Sequence, residues 1–141
     1  MKLHALLALP LALAAAVSFA AEPAGSAPQL SGRSMMWAAG ANENCEVPPE
    51  IVFGKDGKVS GNAACNDLSG EWKLEGKKIS LAGVRAEGRK CGPKITEVEQ
   101  KFMEALHAAA YAAADGDKVR LFDAEGRELI VLVPSSAGAC L

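Results

Sequence analysis

The sequence predicts an α+β domain, mainly antiparallel β, built as a compact sheet or partly open barrel with one α-helix. Three observations lead there. Short apolar runs between Ile51 and Val133 are separated by Gly-, Asn- and Asp-containing turns, and turns this short join antiparallel neighbours. From Thr96 to Ala109 the apolar spacing lengthens to the period of a helix. Strands stand on both sides of that helix, which is then expected to cover one open face or end of the sheet.

In chain order, residues 1–20 read as a secretory signal peptide. Lys2 supplies a short positive region, Leu3 to Val17 an apolar run, and Ser18-Phe19-Ala20 small residues at a cleavage site after Ala20. The run falls short of the roughly 20 residues a membrane span needs, so the chain is expected to be exported and not membrane-spanning. Cleavage leaves 121 of the 141 residues, with 14 Lys and Arg against 17 Asp and Glu, a net charge of −3. That is one domain, and its mild acidity argues against nucleic acid as a partner. Residues 21–34 (AEPAGSAPQLSGRS) read as a flexible leader, 35–134 as the domain, and 135–141 as a loose tail.

Within the domain, Gly40 to Pro49 is expected as a polar loop. Ile51 to Phe53 is the next strand, turned by Gly54 to Gly57 onto Lys58 to Ala63. Cys65-Asn66-Asp67 breaks the ladder, because Asn and Asp bond their own backbone. Gly70 to Leu74 alternates so that Trp72 and Leu74 share a face. Glu75-Gly76-Lys77 turns the chain into a strand from Lys78 to Ala86. Thr96 and Glu99 have the spacing of a capping box, and Pro93 is expected to discourage an earlier helix start. Val98, Phe102, Ala105, Leu106 and Ala109 form the apolar stripe, opposite Lys94, Glu97, Lys101 and Glu104. The segment from Tyr111 to Ala114 is ambiguous between helix and strand. Val119 to Phe122 and Glu128 to Val133 complete the sheet.

Four cysteines remain after cleavage: Cys45, Cys65, Cys91 and Cys140. An even count in an exported small domain favours disulfides, and three pairings stay open on the spacing alone. A zinc site is the weaker reading, since there is no CxxC and His107 is the one histidine outside the signal peptide.

The run GNAACNDLSGEW from Gly61 to Trp72, followed by Cys91 ahead of a helix, resembles the META domain family of HslJ-like exported heat-shock and stress proteins. Trp37 resembles the tryptophan that opens the family's first strand. Gly61, Cys65, Asn66, Gly70, Trp72 and Gly76 follow its central motif, with Ala64 where the family commonly has glycine. Glu99, Phe102, Leu106, Tyr111 and Leu121 continue the match to about Val133. Of the family's Thr-x-Met-Ala-Cys segment only Cys91 is kept. The resemblance implies a compact antiparallel β domain with one helix in the cell envelope, with no general catalytic activity. Within that motif Cys65 is expected to pair with Cys91, leaving Cys45 and Cys140 at the domain's ends for each other.

The remaining chemistry reads as structural. Cys65, Asn66 and His107 have the types of a Cys-His-Asn site, but such sites are defined by geometry, and an oxidised Cys65 is the simpler expectation. Glu97/Glu99 and Asp115/Asp117 read as helix-terminal charge and a turn rather than metal ligands. Lys77-Lys78 and Arg85 to Lys90 are small basic patches that read first as surface solubility and second as contacts for an anionic partner, lipid headgroups or a protein. Trp37 and Trp72 read as core anchors. The expectation is a non-enzymatic protein without cofactor or metal. It would sit in a bacterial periplasm and act by protein or surface binding in a stress response. An exported inhibitor of a lysozyme or protease, presenting Gly40 to Pro49, is the alternative. A thiol redox protein is a further one.

Overall fold

In the computed structural model of the chain, residues 15–16, 21–40 and 48–135 are described. Eight strands form a closed antiparallel barrel. They are β1 (Arg33–Met36), β2 (Glu50–Phe53), β3 (Lys58–Asn62), β4 (Asp67–Glu75), β5 (Lys78–Ala86), β6 (Tyr111–Asp115), β7 (Lys118–Phe122) and β8 (Glu128–Pro134). The helix α1 (Pro93–Ala108) joins β5 to β6. The sheet closes fully rather than partly, because Met35 and Met36 of β1 pair with Pro134 and Val133 of β8. An eight-stranded barrel has an interior that side chains just fill. Here Met35, Ile51, Phe53, Val59, Leu68, Val119, Leu121 and Leu132 fill it.

Strands that alternate in direction place the β1–β2, β3–β4, β5–β6 and β7–β8 connections at one end. Helix α1 belongs to that end. Its Phe102, Ala105 and Leu106 are buried in the common core, and Trp37, just past β1, stacks on Phe102 at 6.1 Å. Trp72 meets Phe53 edge-on at 5.4 Å and donates its indole N–H to the Gly54 carbonyl at 2.9 Å. Both tryptophans thus anchor the core. Trp37 follows the first strand instead of opening it.

The weak seam of the barrel lies between β5 and β6, which share one register pair, Lys78 with Tyr111. Two flanking bonds support it, Ile79 N–H to Ala110 O at 3.0 Å and Ala112 N–H to Lys77 O at 2.8 Å. Along the rest of β5 the helix takes over: His107 Nε2 donates to the Val84 carbonyl at 2.7 Å.

Four expectations are corrected. Residues 21–34 are not a free leader. Ser26 bridges Ala114 of β6, Pro23, Pro28 and Leu30 are buried, and Lys77 Nζ donates to the Pro23 carbonyl at 2.6 Å. The prolines and small residues that suggested flexibility fit an extended strap on the β6 edge, and Arg33-Ser34 are already strand. The helix starts at Pro93, three residues early. Proline suits the first helical position, where its missing N–H has no partner to lose. No capping box forms, because Glu99 turns to the β3–β4 connection. Finally, β4 begins at Asp67, longer than its alternating stretch implied, and Tyr111–Asp115 resolves as strand.

The expected signal peptide, apart from Ala15 and Ala16, lies outside the described residues, as do Cys45, Cys140 and most of the expected tail and polar loop. Among the described residues no helix is long and apolar enough to cross a membrane.

Candidate functional site

The motif residues converge on the β3–β4 turn at the helix-covered end. Gly61, inside β3 and one residue from its end, holds φ +143, and a Cβ there would collide with the Glu50 carbonyl of β2, so the position is closed to other residues. Asn62 Oδ1 accepts the Ala64 N–H at 2.9 Å, and the Ala63 N–H bonds the Asn66 carbonyl at 2.8 Å. Ala64 is thereby held at φ +116, a region that favours glycine. The turn delivers Cys65 to Cys91, and the two form a disulfide with a Cα–Cα distance of 6.0 Å across 26 residues of sequence.

Glu99 reaches this turn from α1. Its Oε2 accepts the N–H groups of Asn66 at 2.8 Å and Cys65 at 3.1 Å, and its Oε1 accepts Asn66 Nδ2 at 3.0 Å. Asn66 also binds the β5–α1 loop. Its Oδ1 accepts the Arg89 N–H at 2.6 Å and its Nδ2 donates to the Arg89 carbonyl at 3.1 Å. The Arg89 guanidinium donates to the Cys65 carbonyl at 3.3 Å, and Thr96 Oγ1 to the Cys91 carbonyl at 3.2 Å. Bonds to a carboxylate are stronger than neutral ones. Among the described residues no buried side-chain nitrogen or oxygen lacks a partner. Asn66 is 7 % exposed and Cys65 6 %, so the centre of the cluster is closed.

This arrangement braces; it does not present a nucleophile. Cys65 sulfur is bonded to Cys91, Asn66 is fully engaged, and His107 holds a β5 carbonyl. Glu97 pairs with Lys101 at 2.7 Å, and the Lys101 ammonium hydrogen bond holds its carboxyl below the ordinary range. Asp117 serves through its carbonyl, which accepts from Arg33 at 2.8 Å. No group of three or more His, Cys, Asp or Glu is placed to hold a metal ion among the described residues. Lys77 is engaged with the strap, whereas Arg85, Arg89, Lys90 and Lys94 are exposed and make no ion pair among the described residues. Sequence reasoning placed Cys65, Cys91, Asn66 and Glu99 in motifs but missed that Glu99 and Asn66 face each other. The signal was present in Asn66, a polar residue between Cys65 and the apolar Leu68, which needs a distant partner.

A family model described as META domain matches residues 31–136. No relative is found among curated proteins. Among solved structures, an NMR structure of a protein from Burkholderia xenovorans is 17% identical, with 86% of this chain and 97% of that one aligned at a TM-score of 0.63. A second NMR structure, described only as that of a protein, is 22% identical over 77% of this chain and 93% of that one, with a TM-score of 0.57. A crystal structure of a DUF4847 family protein from Bacteroides vulgatus ATCC 8482 is 18% identical over 60% and 57%, with a TM-score of 0.51. At these identities the likeness is one of fold.

Proposed function

The chain belongs to the META domain family, and from that premise we propose that it is a non-enzymatic protein of the cell envelope that acts by binding. It is exported to a bacterial periplasm, works in a stress response, and meets its partner through the helix-covered end of the barrel. One observation carries the reading. The β5–α1 loop is fixed by the Cys65–Cys91 bridge and by two bonds from Asn66, and it leaves Lys90 and Arg89 exposed without an ion pair among the described residues, the Arg89 guanidinium resting on the Cys65 carbonyl. A rigid loop loses little conformational freedom on association, and unpaired cations speed encounter with an acidic surface. The barrel interior is occupied by its own side chains, which leaves binding to the outside. A disulfide also suits an oxidising compartment.

Cell fractionation followed by cross-linking in the envelope tests this. The protein is expected in the periplasmic fraction, with a cross-linked species that is lost in the Arg89→Glu/Lys90→Glu double variant. A cytoplasmic location, or cross-links indifferent to both reversals, would remove the proposal.

A further inference from the structure

A second feature lies on the outer wall of β3, β4 and β5, away from the disulfide. A depression of about 390 Å³ opens there, rimmed by Lys58, Ser69, Glu71 and Arg85 and floored by Gly70 and Gly83. Lys58 stands opposite Glu71, and Ser69 opposite Arg85. Directly opposed residues share a face, so all four project outward, with the two cations on either side of Gly70.

The floor is kept open by the backbone. Between Ser69 and Glu71 the ladder shifts register, so that Gly70 alone faces Gly83 and Val84. Gly83 opens the floor, since a Cβ there would meet nothing within 4 Å and its φ of +59 strains other residues, whereas Gly70 lies opposite buried Val59 and a Cβ on it would press on Val84 at the core, 2.7 Å from Cγ2. Neither cation has a carboxylate partner among the described residues, although Glu71 lies across from Lys58.

From this geometry we propose that the depression is a binding site for a small molecule carrying one oxyanion, a carboxylate or a phosphate. Lys58 and Arg85 hold the charge, and Ser69 donates a hydroxyl. Glu71 accepts from a hydroxyl or amine elsewhere on the ligand and disfavours polyanions. The proposal is independent of partner binding at Arg89 and Lys90: either site can be lost with the other intact.

The test is amide-resolved NMR titration of the folded protein with sodium phosphate, sodium acetate and sodium chloride in separate series. Saturable shifts at Ser69, Gly70, Ala82 and Gly83 are expected with phosphate or acetate, but not chloride. Whichever of the two saturates names the oxyanion. Lys58→Ala and Arg85→Ala should each weaken binding about tenfold, the scale of one charge-assisted bond, while Lys118→Ala should leave it unchanged. All three positions are exposed, so each variant should keep the wild-type spectrum elsewhere. Shifts equal to those in chloride, or equal in every variant, would overturn the assignment.

Discussion

Asn66 is the buried polar residue that ties the β3–β4 turn to the rest of the fold. Its side chain binds α1 through Glu99 and the β5–α1 loop through Arg89. Asn66→Ala leaves a half-buried Glu99 carboxylate oxygen and an Arg89 N–H short of partners, and should lower unfolding stability by roughly 1–2 kcal/mol in urea titration. An unchanged midpoint would show that the brace is ornamental. Two positions earlier, Ala64 holds φ +116 where the family commonly has glycine. Ala64→Gly should therefore stabilise the protein by about 1 kcal/mol, because relief of the left-handed strain exceeds the extra freedom glycine gains when unfolded. At this scale the sequence was legible in part. Gly61 and the Cys65-Asn66 turn were visible as a motif, and turn chemistry explains them. The partner of Glu99 was not, since the local alternative at Thr96 satisfies the same spacing and only the fold shows that the carboxylate faces Cys65 and Asn66 instead.

Among the elements, α1 was the most readable, because a stripe of Phe102, Ala105 and Leu106 needs only local periodicity. Its start departs from the capping-box spacing because Pro93 stands at the first helical position, where proline opens a helix and does not break it. The β4 and β6 strands were harder to read. Asp67, Ser69 and the alanines of 112–114 carry weak strand preference, and pairing across the barrel decides their conformation. The β7–β8 turn has its own electrostatic lock. Asp123 Oδ1 accepts the N–H groups of Arg127 at 2.9 Å and Glu125 at 3.0 Å, and Oδ2 accepts Arg127 Nε at 2.9 Å. The Arg127 backbone hydrogen bond first, and its guanidinium beside it, lower the Asp123 carboxyl from its ordinary value. A depressed carboxyl stabilises the fold above its unfolded pKa of about 3.9 and loses that contribution as pH falls through the folded value. Asp123→Ala should therefore be less stable than wild type at pH 7, and the gap should shrink below about pH 4. A gap constant across that range would deny the carboxylate its role.

For the molecule as a whole, closure is the fact that composition could not supply. Alternation along each strand gives a sheet with an inner face, but the β1–β8 pairing joins residues about a hundred positions apart. The strap belongs to the same scale. Its Ser26 carbonyl receives the Ala114 N–H at 2.8 Å, covering an edge that β5 does not reach. Exposed edges invite pairing with other chains, so deletion of residues 21–29 should speed hydrogen exchange at Ala112 to Ala114 and cost roughly 1–3 kcal/mol. Unchanged protection would mean the strap merely lies on the surface. Rigidity at the helix-covered end depends on Cys65 and Cys91 being an oxidised staple and not a working thiol pair. Non-reducing peptide mapping of the purified protein, alkylated before digestion, reads this directly. A Cys65–Cys91 linked peptide with neither cysteine alkylated is the expected result; alkylated Cys65 or Cys91, or either one bridged elsewhere, would contradict it.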